Sequence, residues 1–409
     1  MKIISQETIK PSSPTPPHLK THVLSLLDNY MPHATVPLIF FYNNYNNGDI
    51  NILKKSLSRC LTQYYPFAGR ILSPFVGHID CNAEGVEFLG ASHDTRLDVY
   101  IRKEANHESL RELHPNVNIT NMVAVQLNHF ICGGAAVAVS ISHKLVDGFT
   151  MVTFINQWAK VTRGESPFEP YFLTPPTRYN NVKLPEITIS HEAKHVTKSL
   201  VFPNSKINVL KEKVMNSMGI TLSRVEVLTS LLFKCSVDAA TTKSGLFKPS
   251  ILVHPINMRN KIFKNDPEKA AGNILSSVVV KMVDSREITL NEVVAKLRRG
   301  KMVAGEIRDV QEIGEKYASM VPMLIGDPSV QVYWTTSFCW FPLYEVDFGW
   351  GKPVQVKYVI PEVDFKNLFL MDTPDKDGIE VTIRLPEEEM LILQQDKELL
   401  AFIDIKSKV

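Results

Sequence analysis

The chain has 409 residues, too many for one ordinary hydrophobic core, which predicts two domains of about 200 residues each. Lys and Arg number 45 against 43 Asp and Glu, so the net charge of +2 offers no broad field to a nucleic acid or an acidic membrane. Cys60, Cys81, Cys132, Cys235 and Cys339 include no C-x-x-C pair, which argues for buried free thiols rather than a disulfide framework. The opening "MKIISQETIKPSSPTPPHLK" carries no apolar signal region, and the longest compact apolar run, "VPLIFFY" (36–42), is far too short to cross a bilayer. A cytoplasmic protein with no membrane partner is expected.

In chain order, "TVPLIFFY" (35–42) reads as a strand buried on both faces. "INILKKSLSRCLTQYY" (50–65) places Ile50, Leu53, Leu57 and Leu61 at helical spacing, and Pro66 stops it. "MVAVQLNHF" (122–130) and "AAVAVSIS" (135–142) flank "ICGG", the pattern of a hairpin. Val137, Val139 and Ile141 share one face; Ala136, Ala138, Ser140 and Ser142 share the other, where something can pack closely. Met151, Phe154, Ile155 and Trp158 then predict a helix from about Gly148 to Val161. The segment 164–190, rich in Pro, Thr and Asn, is the natural boundary between units 1–185 and 186–409. Beyond it, "SRVEVLTSLLFKC" (223–235) is a helix that Ser223 can cap, and "SILVHPIN" (250–257) and "SSVVVKMV" (276–283) are strands. "NEVVAKLRRGKMVAGEIRD" (291–309) reads as one basic amphipathic helix. "VDFKNLFLMDT" and "IEVTIRL" read as strands and "EEEMLILQQD" as a short helix. Strands alternate with helices in both halves, an α/β pattern.

Chemistry concentrates in "SHKLVDG" (142–148), with His143 four residues before Asp147 at the junction of a strand and a helix. A structural histidine at a strand end is one reading. The other is a general base: a near-neutral imidazole can take a proton from an alcohol or amine as it attacks a carbonyl. Asp147 then either orients the ring or holds the loop by pairing with a cation. No G-x-S-x-G is present, so a serine hydrolase lacks its nucleophile. "HEAKH" (191–195) fits the zinc pattern H-E-x-x-H, but it sits beside the Pro-rich connection without a periodic helix, so no metal is expected. "DFGWGKP" (347–353) sets two glycines around a tryptophan, which implies a special turn. Its D-F-G lacks the other kinase motifs, and neither a Walker loop nor G-x-G-x-x-G occurs.

Together these stretches resemble the BAHD family of plant acyl-CoA-dependent acyltransferases. "KPSSPTP" (10–16) is similar to the family's start and "YPFAGR" (65–70) to its Y-P-x-A-G-R turn. "SHKLVDG" is similar to its active-site motif, "NMR" (257–259) and Gly272–Asn273 to second-half signatures, and "DFGWGKP" to its most specific mark. The resemblance implies two chloramphenicol-acetyltransferase-like domains of mixed sheets flanked by helices, with a channel between them. It implies His143 as catalytic base and Asp147 as the second motif residue, turned from the channel and paired with Arg259. Asp347, Gly349, Trp350 and Gly351 support the fold. Acyl-CoA, acetyl-CoA by default, is a co-substrate and no cofactor is held permanently. The partners implied are that donor and a small-molecule alcohol, and a monomer is expected. The N-terminal region resembles members acting on alkaloid and terpenoid alcohols.

Some positions depart from the family. Phe338 stands where relatives often carry the Trp of T-S-W, leaving Thr336 and Ser337 as possible oxyanion or CoA donors. Phe233 replaces another usual tryptophan, and Y-F-G-N-C is absent. Ser223 and Arg224 are expected CoA contacts by position. The helix bearing Lys296, Arg298, Arg299 and Lys301 either holds phosphates or is a solvated face. In hydroxycinnamoyl-transferring relatives the early strand lines the acceptor site with hydroxyls; here Val36, Leu38 and Phe40 occupy those places, which predicts an apolar acceptor. N-acylation by the same histidine, and a relative that binds without turnover, are the alternatives.

Overall fold

The computed structural model describes residues 1–404 apart from 46–48, 72–76, 103–106, 116–119, 167, 174–193, 326, 328 and 361–364. The principal strands are Lys2–Ile9 (β1), Thr35–Tyr42 (β2), Val86–His93 (β3), Val123–Phe130 (β4), Ala135–Ser142 (β5), His195–Pro203 (β6), Ser250–Asn257 (β7), Leu275–Met282 (β8), Gln331–Ser337 (β9), Gln355–Tyr358 (β10), Lys366–Asp372 (β11) and Gly378–Pro386 (β12). They form two mixed six-stranded sheets, ordered β1-β3-β4-β5-β2-β10 and β8-β7-β9-β11-β12-β6. The principal helices are Leu26–Tyr30 (α1), Ile50–Gln63 (α2), Gly148–Thr162 (α3), Asn204–Met218 (α4), Arg224–Ser244 (α5), Leu290–Ala304 (α6), Val310–Ile325 (α7) and Glu387–Leu393 (α8). None of the described helices is long and apolar enough to cross a membrane.

Local sequence accounts for these elements. In β2, Leu38 and Phe40 enter the core under α2 and α3, whereas Ile39 and Phe41 enter a second cluster on the opposite face. A strand covered on both sides has no polar face to alternate with. The small Ala136 and Ala138 of β5 lie in that second cluster with Leu97, Tyr100, Leu110 and Leu113. Helix α5 begins at a capping box, Ser223 with Glu226, and ends at Gly245. The basic helix is shorter than the 291–309 expected. It stops at Ala304, and Asp309 caps a separate helix, α7, by accepting from the Glu312 amide at 2.9 Å.

One strand crosses between the halves. β10 comes from the last quarter of the chain yet pairs antiparallel with β2 in the first sheet. β11 feeds both cores by alternation: Leu368 and Leu370 pack in the second, Phe369 and Met371 in the first. The expected boundary at 185/186 and most of the Pro-rich connection fall outside the described residues. A division there assigns β10 to one half of the chain although it completes the other half's sheet.

Candidate active site

The motif occupies the turn between β5 and α3, and four anchors hold it. The amide of His143 donates to Ala34 O at 2.8 Å. Its carbonyl accepts from Asn273 Nδ2 at 2.8 Å. Lys144, buried at 2% exposure, donates from Nζ to Asn29 O and Met31 O, both at 2.9 Å. Those carbonyls close the end of α1, where a cation is favoured by the helix dipole. Burial pulls the Lys144 ammonium down to about 8.

The fourth anchor is Asp147, the N-cap of α3. Its Oδ1 accepts from Thr150 N at 2.9 Å and Arg259 Nη2 at 3.0 Å; its Oδ2 accepts from Arg259 Nη1 at 2.7 Å and Ile274 N at 3.0 Å. Both side chains of the ion pair are almost fully buried, 4% and 1% exposed. Arg259 spends its remaining donors on Ala270 O, Gly272 O, Thr150 Oγ1 and Asn257 Oδ1. Burial alone pushes the Asp147 carboxyl up, but Arg259 and the backbone donors outweigh it and hold the group below the ordinary aspartate value. Asp147 thus faces Arg259 in the second half of the chain and is saturated there, so it is not oriented as a triad aspartate is.

His143 is half-buried, and its Nδ1 is buried without a hydrogen-bond partner among the described residues. That leaves Nε2 as the nitrogen open to a ligand. Burial lowers the ring's pKa from the ordinary histidine value, so at neutral pH the imidazole is uncharged and able to accept a proton.

The segment that follows β9 runs against the motif. A side chain at Gly148 would meet Phe338 Cε1 at 2.4 Å, so only glycine lets that ring pack on the start of α3. Phe338 stacks on Phe341, which meets Phe149 edge-on. Thr336 pairs with Phe369 and points with it toward the first half of the molecule, half-buried. Ser337 faces the other way, its Oγ accepting from the Cys339 amide at 3.3 Å.

The other expected residues are placed as follows. Leu38 and Phe40 are fully buried and Val36 nearly so, within the core. Leu38 lies opposite Tyr358, whose ring stacks on Phe369 of the second sheet at 4.1 Å, so this end of β2 abuts the junction of the sheets. Ser223 is engaged in its capping box. Arg224 is bound within the protein: Nη1 to Asn204 Oδ1 at 2.7 Å, Nη2 to Asp372 Oδ1 at 2.9 Å, with Trp340 stacked 4.6 Å away. On α6, Lys301 pairs with Glu226 at 3.3 Å, Lys296 donates to Lys281 O, and Arg298 donates to Thr221 O. His191 lies outside the described residues, and His195 opens β6 rather than extending a helix.

"DFGWGKP" lies away from the motif and works as a clamp. Asp347 Oδ1 accepts from the amides of Gly349 at 2.7 Å and Gly351 at 2.9 Å, and both glycines have positive φ, +102° and +88°. The turn presents Trp350 to Tyr42 and Tyr45 edge-on, and its Nε1 donates to Asp49 Oδ2 at 2.8 Å. Tyr42 OH donates to Val346 O at 2.8 Å.

Sequence reasoning gave no role to Asn273, Asp28, Lys144 or Thr150. Lys144 lay inside the motif and Asn273 inside a quoted signature. Asp28 was signalled by "SLLD" (25–28), a capping-box pattern that starts α1.

A family model described as the Transferase family matches residues 1–400. The 17,18-epoxy-17-hydroxycur-19-ene N-malonyltransferase of Strychnos nux-vomica is 34% identical, with 99% of this chain and 91% of that one covered. The epi-neemfruitin B 7-O-acetyltransferase of Melia azedarach is 32% identical, with 98% of each covered. The crystal structure of vinorine synthase superimposes with a TM-score of 0.83 at 28% identity, each chain covered in full.

Proposed function

The chain belongs to the Transferase family, the BAHD acyl-CoA-dependent acyltransferases, and from that membership we propose that it transfers an acyl group, acetyl by default, to a hydroxyl of an apolar plant specialised metabolite, an alkaloid or terpenoid alcohol. The observation that carries this reading is the half-buried, neutral His143, with one nitrogen open and Asp147 turned onto Arg259. Nε2 takes the hydroxyl proton as the oxygen attacks the thioester carbonyl. The tetrahedral intermediate collapses by breaking the C–S bond, and the imidazolium returns the proton to the departing CoA sulfur. Protein, acyl group and protons balance without a covalent enzyme intermediate.

An apolar acceptor is supported by the aromatic junction of the sheets, where Tyr358 packs against Phe369 and Phe338; Leu38, fully buried in the core, backs that junction and does not line a site. A polyhydroxylated acid loses its water there without replacement hydrogen bonds. Arg224 is too committed within the protein to anchor CoA phosphates, so Thr336 is the better-supported of the expected donor contacts. A second reading, malonyl transfer to an amine, is favoured by the Strychnos relative, an N-malonyltransferase. The same histidine serves it.

The test is thiol release from acetyl-CoA and malonyl-CoA with panels of terpenoid and alkaloid alcohols, amines, shikimate and quinate. Turnover with apolar alcohols, lost by about 100-fold or more in His143→Ala, is the expected result. Equal rates in the two proteins reject the base, and preference for shikimate or quinate rejects the apolar acceptor.

A further inference from the structure

Of the four tryptophans, Trp158 and Trp350 are buried and Trp334 is half-buried, but Trp340 is 77% exposed. It also stands at φ +71°, the left-handed region that a bulky side chain enters only at a cost. The contacts that hold it there are specific. The Trp340 amide donates to Asp372 Oδ2 at 2.7 Å. Asp372 Oδ1 accepts from Arg224 Nη2 at 2.9 Å, and the Arg224 guanidinium lies over the indole, 4.6 Å from the ring centroid. Asn204 Oδ1 accepts from the other arm of the same guanidinium at 2.7 Å. One face of the indole is thus backed by a fixed cation, and the other is turned to water.

The ring stands at the motif's end of the second sheet. β7, β9 and β11 run parallel, and ligands bind outside the carboxyl ends of such strands. Trp340 lies three residues beyond the end of β9. Two residues before it, Phe338 packs on Gly148, and the next residue, Phe341, stacks on Phe338 and meets Phe149 edge-on. Two residues of chain reach at most about 7 Å, so the indole is the surface end of an aromatic file that starts at the motif helix.

Positive charge lies close by. Asn204 Nδ2 donates to Lys376 O at 2.9 Å, which ties the tip of the β11–β12 hairpin to the same network. Lys376 and Lys352, 66% and 65% exposed, share the single carboxylate of Glu345 at 3.5 and 2.5 Å. Two ammonium groups on one carboxylate leave a positive surplus.

We propose that Trp340 is the platform on which the adenine ring of the acyl-CoA donor stacks, with Lys352 and Lys376 facing its phosphates. The proposal rests on the reading of acyl-CoA as donor. A flat base stacks on an indole without needing a hydrogen-bond pattern, and the cation behind the ring fixes the platform before the ligand arrives. The apolar acceptor carries no anion for the lysines to meet, so the donor is the better occupant. Arg224, committed within the protein, is then a positioning residue that acts through the indole. Adenine is remote from the reacting carbonyl, so its contact strengthens ground state and transition state alike and belongs in KM rather than kcat.

The test compares acetyl-CoA with acetyl-pantetheine, which carries the same thioester without adenosine or its phosphates, in wild type, Trp340→Ala and Trp340→Phe. Trp340→Ala raises KM for acetyl-CoA by about 5-fold to 100-fold, while kcat and the acceptor KM stay within about twofold. Its KM for acetyl-pantetheine equals that of wild type, and Trp340→Phe, which keeps a ring, retains most of the affinity. The bond to Asp372 uses the backbone amide, so both variants keep it. A second measurement needs no folded variant: CoA quenches the tryptophan emission of wild-type protein and pantetheine does not. An equal rise in KM for both donors, a rise in the acceptor KM, an unchanged KM for acetyl-CoA in Trp340→Ala, or equal quenching by CoA and pantetheine overturns the proposal. A wild type that releases no thiol from acetyl-CoA with any acceptor defeats the donor reading itself, so the two failures are distinguishable.

Discussion

Asp147 shows what a single buried charge costs and does. It caps α3, and it joins the two halves of the chain by its pair with Arg259. In low-dielectric surroundings such a pair is weak evidence of net stability, because the attraction has to offset the loss of water from both ions. Removing one partner is different, since the other is then stranded. Arg259→Met is expected to destabilise the protein by about 3–5 kcal/mol in denaturant unfolding, leaving the Asp147 carboxylate buried alone. Asp147→Asn in the Arg259→Met background should recover part of that loss, because an amide oxygen still accepts from Thr150 N without carrying charge, while Ile274 N loses its acceptor to the NH2 that replaces the second oxygen. Additive losses in the double variant would show that the carboxylate acts mainly as a cap.

At the scale of elements, the "DFGWGKP" turn delivers β10 to the first sheet. Asp347 organises the turn, Trp350 wedges it against Tyr42 and Tyr45, and the chain then pairs with β2. Asp347→Ala removes both acceptor bonds to the positive-φ glycines and is expected to cost about 1–3 kcal/mol, read as a lower unfolding midpoint. Activity per folded molecule should survive, because the turn does not touch His143; a specific loss of kcat at full folding would place the loop in the chemistry. This element also marks the limit of sequence reading. Two glycines around a tryptophan announce a turn, but the four-residue strand after it, "QVKY", carries no signal of which sheet it joins. The exposed edge strand β1 has no buried alternation to betray it, and the end of α6 was hidden because Asp309, a helix start, reads equally well as one more charge. His143 and Asp147 were legible because motif spacing fixes them. Asn273 and Asp28 were not assigned roles because 245 positions separate them in sequence, and only the fold makes their hydrogen bond.

Across the whole molecule, buried histidines tie stability to pH. His22 in the first half and His254 in the second are 8% and 3% exposed, and burial lowers their pKa values to about 4 and about 3. The His254 tautomer is fixed: Thr335 Oγ1 donates to Val253 O, so it accepts from His254 Nδ1 at 2.8 Å. Both rings are neutral in the folded state where an unfolded histidine, near 6.5, begins to bind a proton. Between about pH 6.5 and the folded values the unfolded chain binds more protons, so stability falls as pH falls, by about 1.4 kcal/mol per pH unit for each fully titrating histidine. His143 adds in the same direction, while Asp28, whose carboxyl burial pushes up, acts in the opposite one. Asp147, held low, contributes its loss only at more acidic pH. The thermal midpoint should therefore drop from pH 6.5 to pH 4.5, before most carboxylates protonate. His254→Asn can keep the donor to Thr335 but cannot titrate, so its midpoint should be less steep over the same window by about one histidine's share. Parallel midpoint curves for the two proteins would mean that His254 is hydrated in the folded state, contrary to its burial on β7 beside Thr335 of β9.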